Sequence, residues 1–142
     1  MNPTSLDLAI RIHKALAHPV RVRLLAMLRA GELCVCQLNA VIGLAPSTIS
    51  AHLGELKDAG LVAERKQGRW VHYRLAAEGA AEAALAALWP AVARDRQILE
   101  DAALLKGLAK VPVEALCRPE FDLAALRERC CPPPQPRRRA DG

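Results

Sequence analysis

Five cysteines carry the clearest chemistry in this 142-residue sequence. They are Cys34 and Cys36, two residues apart, and Cys117, Cys130 and Cys131, called here the C-terminal cysteines. Thiolates are soft ligands that select soft ions such as As(III), Sb(III), Cd(II), Pb(II), Zn(II) and Cu(I). An odd number of cysteines in a chain without an evident secretion signal favours metal ligands or redox thiols over a disulfide framework.

Cys34 and Cys36 flank Val35 at the start of a predicted helix. The helix dipole and the free N–H groups of a first turn favour the thiolate form. Residues two apart in a regular helix are separated by about 200° around its axis, so both sulfurs can reach one ion only if that turn unwinds. We therefore expect ion binding to deform this helix and to displace the next helix, which packs against it. The displacement should weaken the contacts that the next helix makes with its binding partner, with a coupling of about 1 to 3 kcal/mol.

Small polar side chains form a second group, near the start of a helix predicted from Pro46. The residues that lie away from its apolar face are Ser47, Thr48, Ser50, His52 and Lys57. Short hydroxyls and backbone N–H groups can approach DNA bases and phosphates closely, and a helix N-terminus favours phosphate. Because an isolated Ser-Thr pair more often only caps a helix, this interpretation depends on the surrounding elements.

The elements that must position these residues follow a specific order. Helical spacing is predicted over residues 18–30, from about 35 to 42, and from 46 to 60. The pattern then changes to two strands around a basic turn, whose Lys66 and Arg69 we expect to hold the flanking DNA backbone or a minor groove. This order predicts a mainly α fold with a two-stranded β-hairpin, the winged helix-turn-helix.

The remaining segments predict the domain organisation. Helix-forming residues return over 78–107, interrupted by Pro90, and they are apolar enough to bury against a partner subunit. We therefore expect a winged helix-turn-helix domain with dimerisation helices over residues 1–110, with its DNA-binding core at 16–76. Residues 111–142 form a tail rich in Cys, Pro and Arg.

Charge supports a polyanionic partner. The net charge is +5, and residues 11–76 carry ten Lys and Arg against four Asp and Glu, whereas residues 77–142 carry ten of each. A localised basic excess is typical of DNA binding, because each phosphate contact releases counterions. No signal pattern and no apolar run long enough to span a membrane occur, so we expect a cytoplasmic protein without membrane contact. The absence of a nucleophile–base pair or a Gly-rich phosphate loop argues against an enzyme.

Residues 13–76 resemble the arsenical-resistance repressor family of metal-sensing winged-helix proteins. The similar motifs are Lys-Ala-Leu-Ala-His-Pro-Val-Arg at 14–21, Gly-Glu-Leu-Cys-Val-Cys at 31–36, Ser-Thr-Ile-Ser-Ala-His-Leu at 47–53 and Leu-Lys-Asp-Ala-Gly-Leu-Val at 56–62. The resemblance implies a homodimeric repressor of a resistance operon that binds double-stranded operator DNA through the helix beginning at Pro46. Many relatives place a serine cap where this chain has Ala45, which weakens the helix start by about 1 kcal/mol.

The resemblance also implies which ligands the thiol site has. Arsenic-responsive relatives commonly read Cys-Val-Cys-Asp-Leu-Cys, whereas this chain has Gln37 and Asn39 at the fourth and sixth of these positions. Three arrangements follow: one of the C-terminal cysteines joins Cys34 and Cys36, the C-terminal cysteines form a site of their own, or the chain has no metal site. We favour As(III) or Sb(III) as the inducer because three thiolates satisfy a trigonal ion. Cd(II), Pb(II) or Zn(II), and a regulator that forms reversible disulfides, are the alternatives.

Overall fold

The computed structural model describes residues 4–116. The elements of this part of the chain are α1 (Ser5–Leu16), α2 (Pro19–Leu28), β1 (Leu33–Cys34), α3 (Val35–Ile42), α4 (Pro46–Asp58), β2 (Val62–Gln67), β3 (Trp70–Leu75), α5 (Ala80–Val92), α6 (Arg96–Leu108) and α7 (Val113–Leu116). The C-terminal cysteines and most of the predicted tail lie outside the described residues. No helix within residues 4–116 is both long and apolar enough to cross a membrane.

Local signals in the sequence set the starts of the first helices. Thr4 and Asp7 form a capping box at α1, in which each side chain binds the other residue's backbone N–H. His18 caps α2 by accepting a hydrogen bond from the Val20 N–H at its Nδ1 atom, and proline follows at the first helical position. α4 begins at Pro46, where Ala45 is the N-cap and provides no side-chain hydrogen bond, as the sequence predicted.

The sheet has three antiparallel strands in the order β1-β3-β2, not only the two of the predicted hairpin. The β2–β3 hairpin is confirmed, and its loop is shorter than predicted because Gln67 pairs with Trp70. Gly68 has a φ of 59°, which suits the first position of a two-residue turn. The additional strand, β1, pairs with β3, and its two residues are too few for an alternating pattern to be detected.

The helical region after the sheet is divided into two helices at a different residue from the one that the sequence predicts. Pro90 lies inside α5, two residues before the end of the helix, and does not separate two helices. The separation comes at Asp95, which caps α6 by accepting hydrogen bonds from the N–H groups of Gln97 and Ile98. The capping carboxylate, rather than the proline, therefore determines where α6 begins.

The core joins the helices to the sheet in one cluster. Its most completely buried side chains are Ile12, Leu24, Leu25, Leu38, Val41, Ile49, Leu53, Leu56, Leu61 and Leu108, each at 1% exposure or less. The apolar face of α4 contributes three of these residues, as its spacing predicts. Burial of this face fixes which side of α4 remains in contact with water.

A buried ion pair joins α2 to α6. Asp101 is 1% exposed, and its two carboxylate oxygens accept hydrogen bonds from Arg23 Nε at 2.8 Å and Nη2 at 2.9 Å. Gln97 donates a third hydrogen bond to this carboxylate at 3.0 Å. The desolvated charge is thus fully paired, which a buried carboxylate requires.

We predict that Asp101→Ala lowers the free energy of unfolding by about 3 kcal/mol, because it leaves the partly buried Arg23 guanidinium without its partner. Urea denaturation followed by circular dichroism measures this loss. Arg96→Gln is the matched control, since it removes the exposed pair with Glu100 on the same helix and should change stability by less than about 0.5 kcal/mol. Equal effects of the two substitutions would contradict the structural role of the buried pair.

Candidate nucleic-acid interface and thiol site

The outward face of α4 presents the predicted polar residues together at the protein surface. Pro46, Ser47, Thr48, Ser50 and Lys57 are exposed, whereas His52 is half-buried. The opposite face packs into the core against α2 and the start of the sheet. The backbone N–H groups of the first turn and the two neighbouring hydroxyls therefore lie on the same exposed helix end, a geometry suited to phosphate and base acceptors.

His52 is held from the direction of α2. Its Nδ1 atom accepts a hydrogen bond from Arg21 Nε at 3.2 Å, and its ring centroid lies 4.4 Å from that of His18. Burial, followed by the nearby His18 and Arg21, lowers the pKa of His52 below its ordinary value. The imidazole is therefore neutral at pH 7, and His52 combines a packing role with its place beside the exposed face.

Lys57, at the end of α4, is paired with the sheet. Its Nζ atom lies 2.9 Å from the Glu64 carboxylate, which also accepts a hydrogen bond from the Tyr73 hydroxyl at 3.0 Å. The Lys57 ammonium, and to a lesser degree the Tyr73 hydroxyl, lower the pKa of Glu64. Burial and the Glu64 carboxylate raise the pKa of Tyr73 to about 12. This pairing compensates part of the positive charge that the sequence assigned to the DNA side.

The hairpin carries exposed cations at its tip and an ion pair at its base. Lys66 and Arg69 are exposed, and the Arg69 guanidinium stacks over Trp70 at 4.8 Å from the ring centroid. Nearer the base, Arg65 donates two hydrogen bonds to Glu32, just before β1. The charge of Arg65 is therefore paired, and this residue connects the hairpin to the segment that leads to Cys34.

Cys34 lies at the junction between the sheet and the helix-turn-helix. It is 1% exposed, pairs with His72 across β1 and β3, and is the N-cap of α3 with extended backbone angles of −73° and 148°. Its N–H donates a hydrogen bond to the Gln37 side chain at 2.8 Å. Cys34 is therefore outside the helix, and the prediction that both cysteines occupy one regular helical turn is wrong. The separation of about 200° between residues two apart in one regular helix therefore does not apply to this pair.

Cys36 and Asn39 lie on α3 itself, about one turn apart. Cys36 is half-buried and disulfide-bonded, whereas Cys34 is a free thiol. The Asn39 Oδ1 atom is buried without a hydrogen-bond partner. Within residues 4–116, no three Cys, His, Asp or Glu side chains are grouped so as to hold a metal ion. The described part of the chain thus contains two cysteine sulfurs, one in the free thiol of Cys34 and one in the disulfide of Cys36.

A helix-turn-helix followed by a basic-tipped β-hairpin defines the winged-helix class of DNA-binding regulators. Comparison with known proteins agrees: residues 18–64 match the model of the bacterial regulatory protein, arsR family. The structure of HlyU from Vibrio cholerae is similar, with a TM-score of 0.57 and 30% sequence identity, and the match covers 66% of this chain and 100% of HlyU. The structure of reduced HlyU gives a TM-score of 0.53 and 32% identity, and that match covers 62% of this chain and 90% of HlyU. This chain belongs to the arsR family, and its named relatives are regulators and not enzymes, as the sequence predicted.

Two curated relatives with arsenic-related names each match less than half of this chain. The arsenic resistance transcriptional regulator ArsR1 of Pseudomonas putida is 45% identical over 45% of this chain and 51% of its own length. The arsenical resistance operon repressor of Escherichia coli is 45% identical over 48% of this chain and 59% of its own length. A biofilm growth-associated repressor of Agrobacterium fabrum is 38% identical over 57% of this chain and 68% of its own length. The chain thus matches only about half to three-fifths of the two arsenic-related regulators.

Sequence reasoning missed several residues that organise the site. Arg21, Glu32 and Glu64 each bind a side chain on a different element, and no local pattern marks such long-range partners. Arg21 is the last residue of the motif at 14–21, but its spacing gives no indication that it contacts His52. Only the packing of α2 against α4 brings the two side chains together.

We predict that Lys66→Gln weakens binding to any DNA duplex. The slope of log K against log salt concentration is negative, and the loss of one phosphate contact should reduce its magnitude by about 0.9. Lys57→Gln should have a smaller effect because its ammonium is already paired with Glu64. Fluorescence anisotropy at several salt concentrations measures both slopes, with Lys110→Gln, an exposed change beyond α6, as the control. A larger effect for Lys57 than for Lys66 would contradict this assignment.

Proposed function

We propose that this chain is a repressor of metal- or metalloid-resistance genes that binds operator DNA as a homodimer and releases it when cysteine thiolates capture As(III) or Sb(III). The proposal depends above all on the position of Cys34, a buried thiol between the sheet and the helix-turn-helix. The arsenic-resistance names of two relatives that are 45% identical add support. The DNA contacts are assigned to Pro46, Ser47, Thr48, Ser50, His52, Lys57, Lys66 and Arg69.

The position of Cys34 offers a route from ion to DNA. On one side, β1 pairs with β3 of the hairpin, and Glu32 holds Arg65 of β2. On the other side, Cys34 is the cap of α3, which precedes the DNA-facing helix. An ion that pulls the Cys34 sulfur towards Cys36 therefore shifts the hairpin and α3 relative to each other. A shift of this kind misplaces Lys66 with respect to α4 and weakens DNA binding.

The thiol site requires one ligand more than the described residues provide. As(III) and Sb(III) are trigonal, and Cys34 supplies one thiolate and Cys36 a second once its disulfide is reduced. We assign the third thiolate to the C-terminal cysteines, of the same or the partner subunit. Cd(II), Pb(II) or Zn(II) as the inducer, and a separate site made by the C-terminal cysteines alone, are the alternatives that the experiments below distinguish.

Apolar side chains on the outer helices support the homodimer. In the described part of the chain, α1 leaves Leu6 67% exposed and Ile10 45% exposed, and α6 leaves Leu99 55% exposed. Large apolar side chains in water favour burial against another surface. A two-fold dimer would cover them and place two DNA-facing helices one helical turn of DNA apart.

We predict that arsenite, and not Zn(II), releases the reduced protein from a duplex selected for tight binding from a random library. Anisotropy in a monothiol reductant measures release, because a dithiol would chelate the arsenite. Cys34→Ser and Cys36→Ser should each abolish release while DNA affinity stays within about threefold. Ala40→Ser, which adds a hydroxyl to the same helix and keeps both sulfurs, should release normally. Unchanged release by both cysteine variants would assign sensing to the C-terminal cysteines alone.

Asn39 provides a gain-of-function test. Asn39→Cys places a thiol about one turn from Cys36 and removes the buried amide oxygen that has no hydrogen-bond partner. We expect the arsenite concentration for half-maximal release to fall about tenfold, which corresponds to about 1.4 kcal/mol. Asn39→Ala is the control, because it removes the amide without adding a ligand. An equal shift in both variants would attribute the change to stability rather than to ligation.

A thiol-redox regulator of the same fold is the second candidate, and the disulfide bond of Cys36 favours it. A neighbour with 32% identity was solved as reduced HlyU from Vibrio cholerae. In this mechanism hydrogen peroxide is reduced to water while two thiols lose two protons and two electrons to form the disulfide.

The redox mechanism predicts that peroxide releases DNA and that excess monothiol reductant restores binding. The metalloid mechanism predicts that arsenite releases DNA in the presence of that same reductant. Cys36→Ser should abolish the peroxide response, which the same anisotropy measurement follows. Peroxide release that persists in Cys36→Ser would overturn the redox candidate.

A further inference from the structure

Arg21 is fixed on two sides at the junction of three helices. Its Nη1 atom donates to the carbonyl oxygens of Lys14 at 3.1 Å and Ala15 at 3.5 Å, near the C-terminal end of α1. Its Nε atom donates to His52 Nδ1 at 3.2 Å. Carbonyls at a helix C-terminus attract a cation, so the guanidinium is anchored independently of His52.

The bond between Arg21 and His52 determines the state of the imidazole. A guanidinium carries only donors and keeps its proton under all ordinary conditions, so the Nδ1 atom that faces it must be an acceptor. A neutral imidazole with an acceptor at Nδ1 carries its hydrogen on Nε2. His52 is therefore held as a donor at Nε2, and no hydrogen bond to that atom is present among the described residues.

The position of His52 places its Nε2–H donor next to the exposed face of α4. His52 follows Thr48 by four residues, so both side chains lie along one ridge of α4 next to its exposed face. The acceptors that duplex DNA presents in the major groove are guanine N7 and O6, adenine N7 and thymine O4, and the phosphates supply more. A neutral N–H donor fits any of these acceptors and adds no counterion release.

We propose that Arg21 is a positioning residue for DNA recognition: it holds His52 as the Nε2–H tautomer, which donates a hydrogen bond to an acceptor on the bound duplex. The inference rests on DNA binding by α4 and extends it to a residue of α2. Arg21 itself stays on the α1 carbonyls and does not contact phosphate.

The tautomer is tested without DNA. Long-range ¹H–¹⁵N correlation spectra of the full-length protein, labelled at histidine and assigned with His52→Gln, report which ring nitrogen of His52 carries hydrogen. We expect hydrogen on Nε2 in the wild type and a mixture of tautomers in Arg21→Ala. Hydrogen on Nδ1 in the wild type, or the same spectrum in both proteins, overturns the proposal even if DNA binding is intact.

DNA binding tests the role itself. Arg21→Ala and His52→Ala should each weaken binding to the selected duplex about fivefold, the value of one neutral hydrogen bond, and the double variant should be no weaker than His52→Ala. His52→Gln, whose amide donates whatever residue 21 is, should recover most of the affinity that His52→Ala loses, and in that background Arg21→Ala should have almost no further effect. Additive losses, or a fall of about 0.9 in the salt slope of Arg21→Ala, would show a direct phosphate contact and overturn the proposal.

A scrambled duplex identifies the acceptor. Loss of affinity only for the selected duplex assigns the His52 hydrogen bond to a base edge, and equal loss for both duplexes assigns it to a phosphate. Either result supports the role of His52 as a donor. No loss for either duplex in His52→Ala overturns it. Circular dichroism melting of each variant verifies that the proteins compared are folded.

Discussion

Burial of the apolar face of α4 is the constraint on which the rest of the structure depends. Ile49, Leu53 and Leu56 are completely buried, and their spacing fixes the rotation of the helix about its axis. Any rotation that brought another face outward would expose these side chains at a cost of roughly 1.5 to 3 kcal/mol each. Hydrophobic packing thus determines which polar residues of α4 lie at the surface, the face to which we assign DNA binding.

The thiol site depends on a different kind of junction. Cys34 is the last residue of β1 and the cap of α3, so one residue belongs to both the sheet and the helix-turn-helix. A buried side chain at such a junction has little room to move without moving its neighbours, because protein interiors are close-packed. We therefore expect a chemical change at this sulfur to reach both the hairpin and the helix-turn-helix, the two elements to which we assign the DNA contacts.

Periodic and local signals made much of this fold predictable. The bounds of α3 and the start of α4 follow from apolar spacing, proline and glycine, and the β2–β3 hairpin follows from the change of period. Strand β1 was missed because two residues show no period, and its absence led to the wrong expectation that Cys34 is helical. Pro90 does not break α5, and the capping residue Asp95 marks the start of α6 more directly than the proline does.

The candidate site was predictable in its residue types and not in its connections. Ser47, Thr48 and Ser50 lie on one exposed face because helical geometry relates neighbours along the chain. The partners of Lys57 and His52 are distant in sequence or lie on other elements, so only the folded chain reveals them. These connections alter the chemistry: Lys57 is partly compensated, and His52 is restricted to one tautomer.

The buried pair of Arg23 and Asp101 also affects how this sequence can change over time. Replacement of either residue alone leaves a desolvated charge without its counterpart, whereas replacement of both by apolar residues of similar volume can be nearly neutral. The two positions are 78 residues apart and are encoded separately. Evolution at one position therefore depends on the other, and the acceptable path between a charged and an apolar solution passes through intermediates that fold poorly.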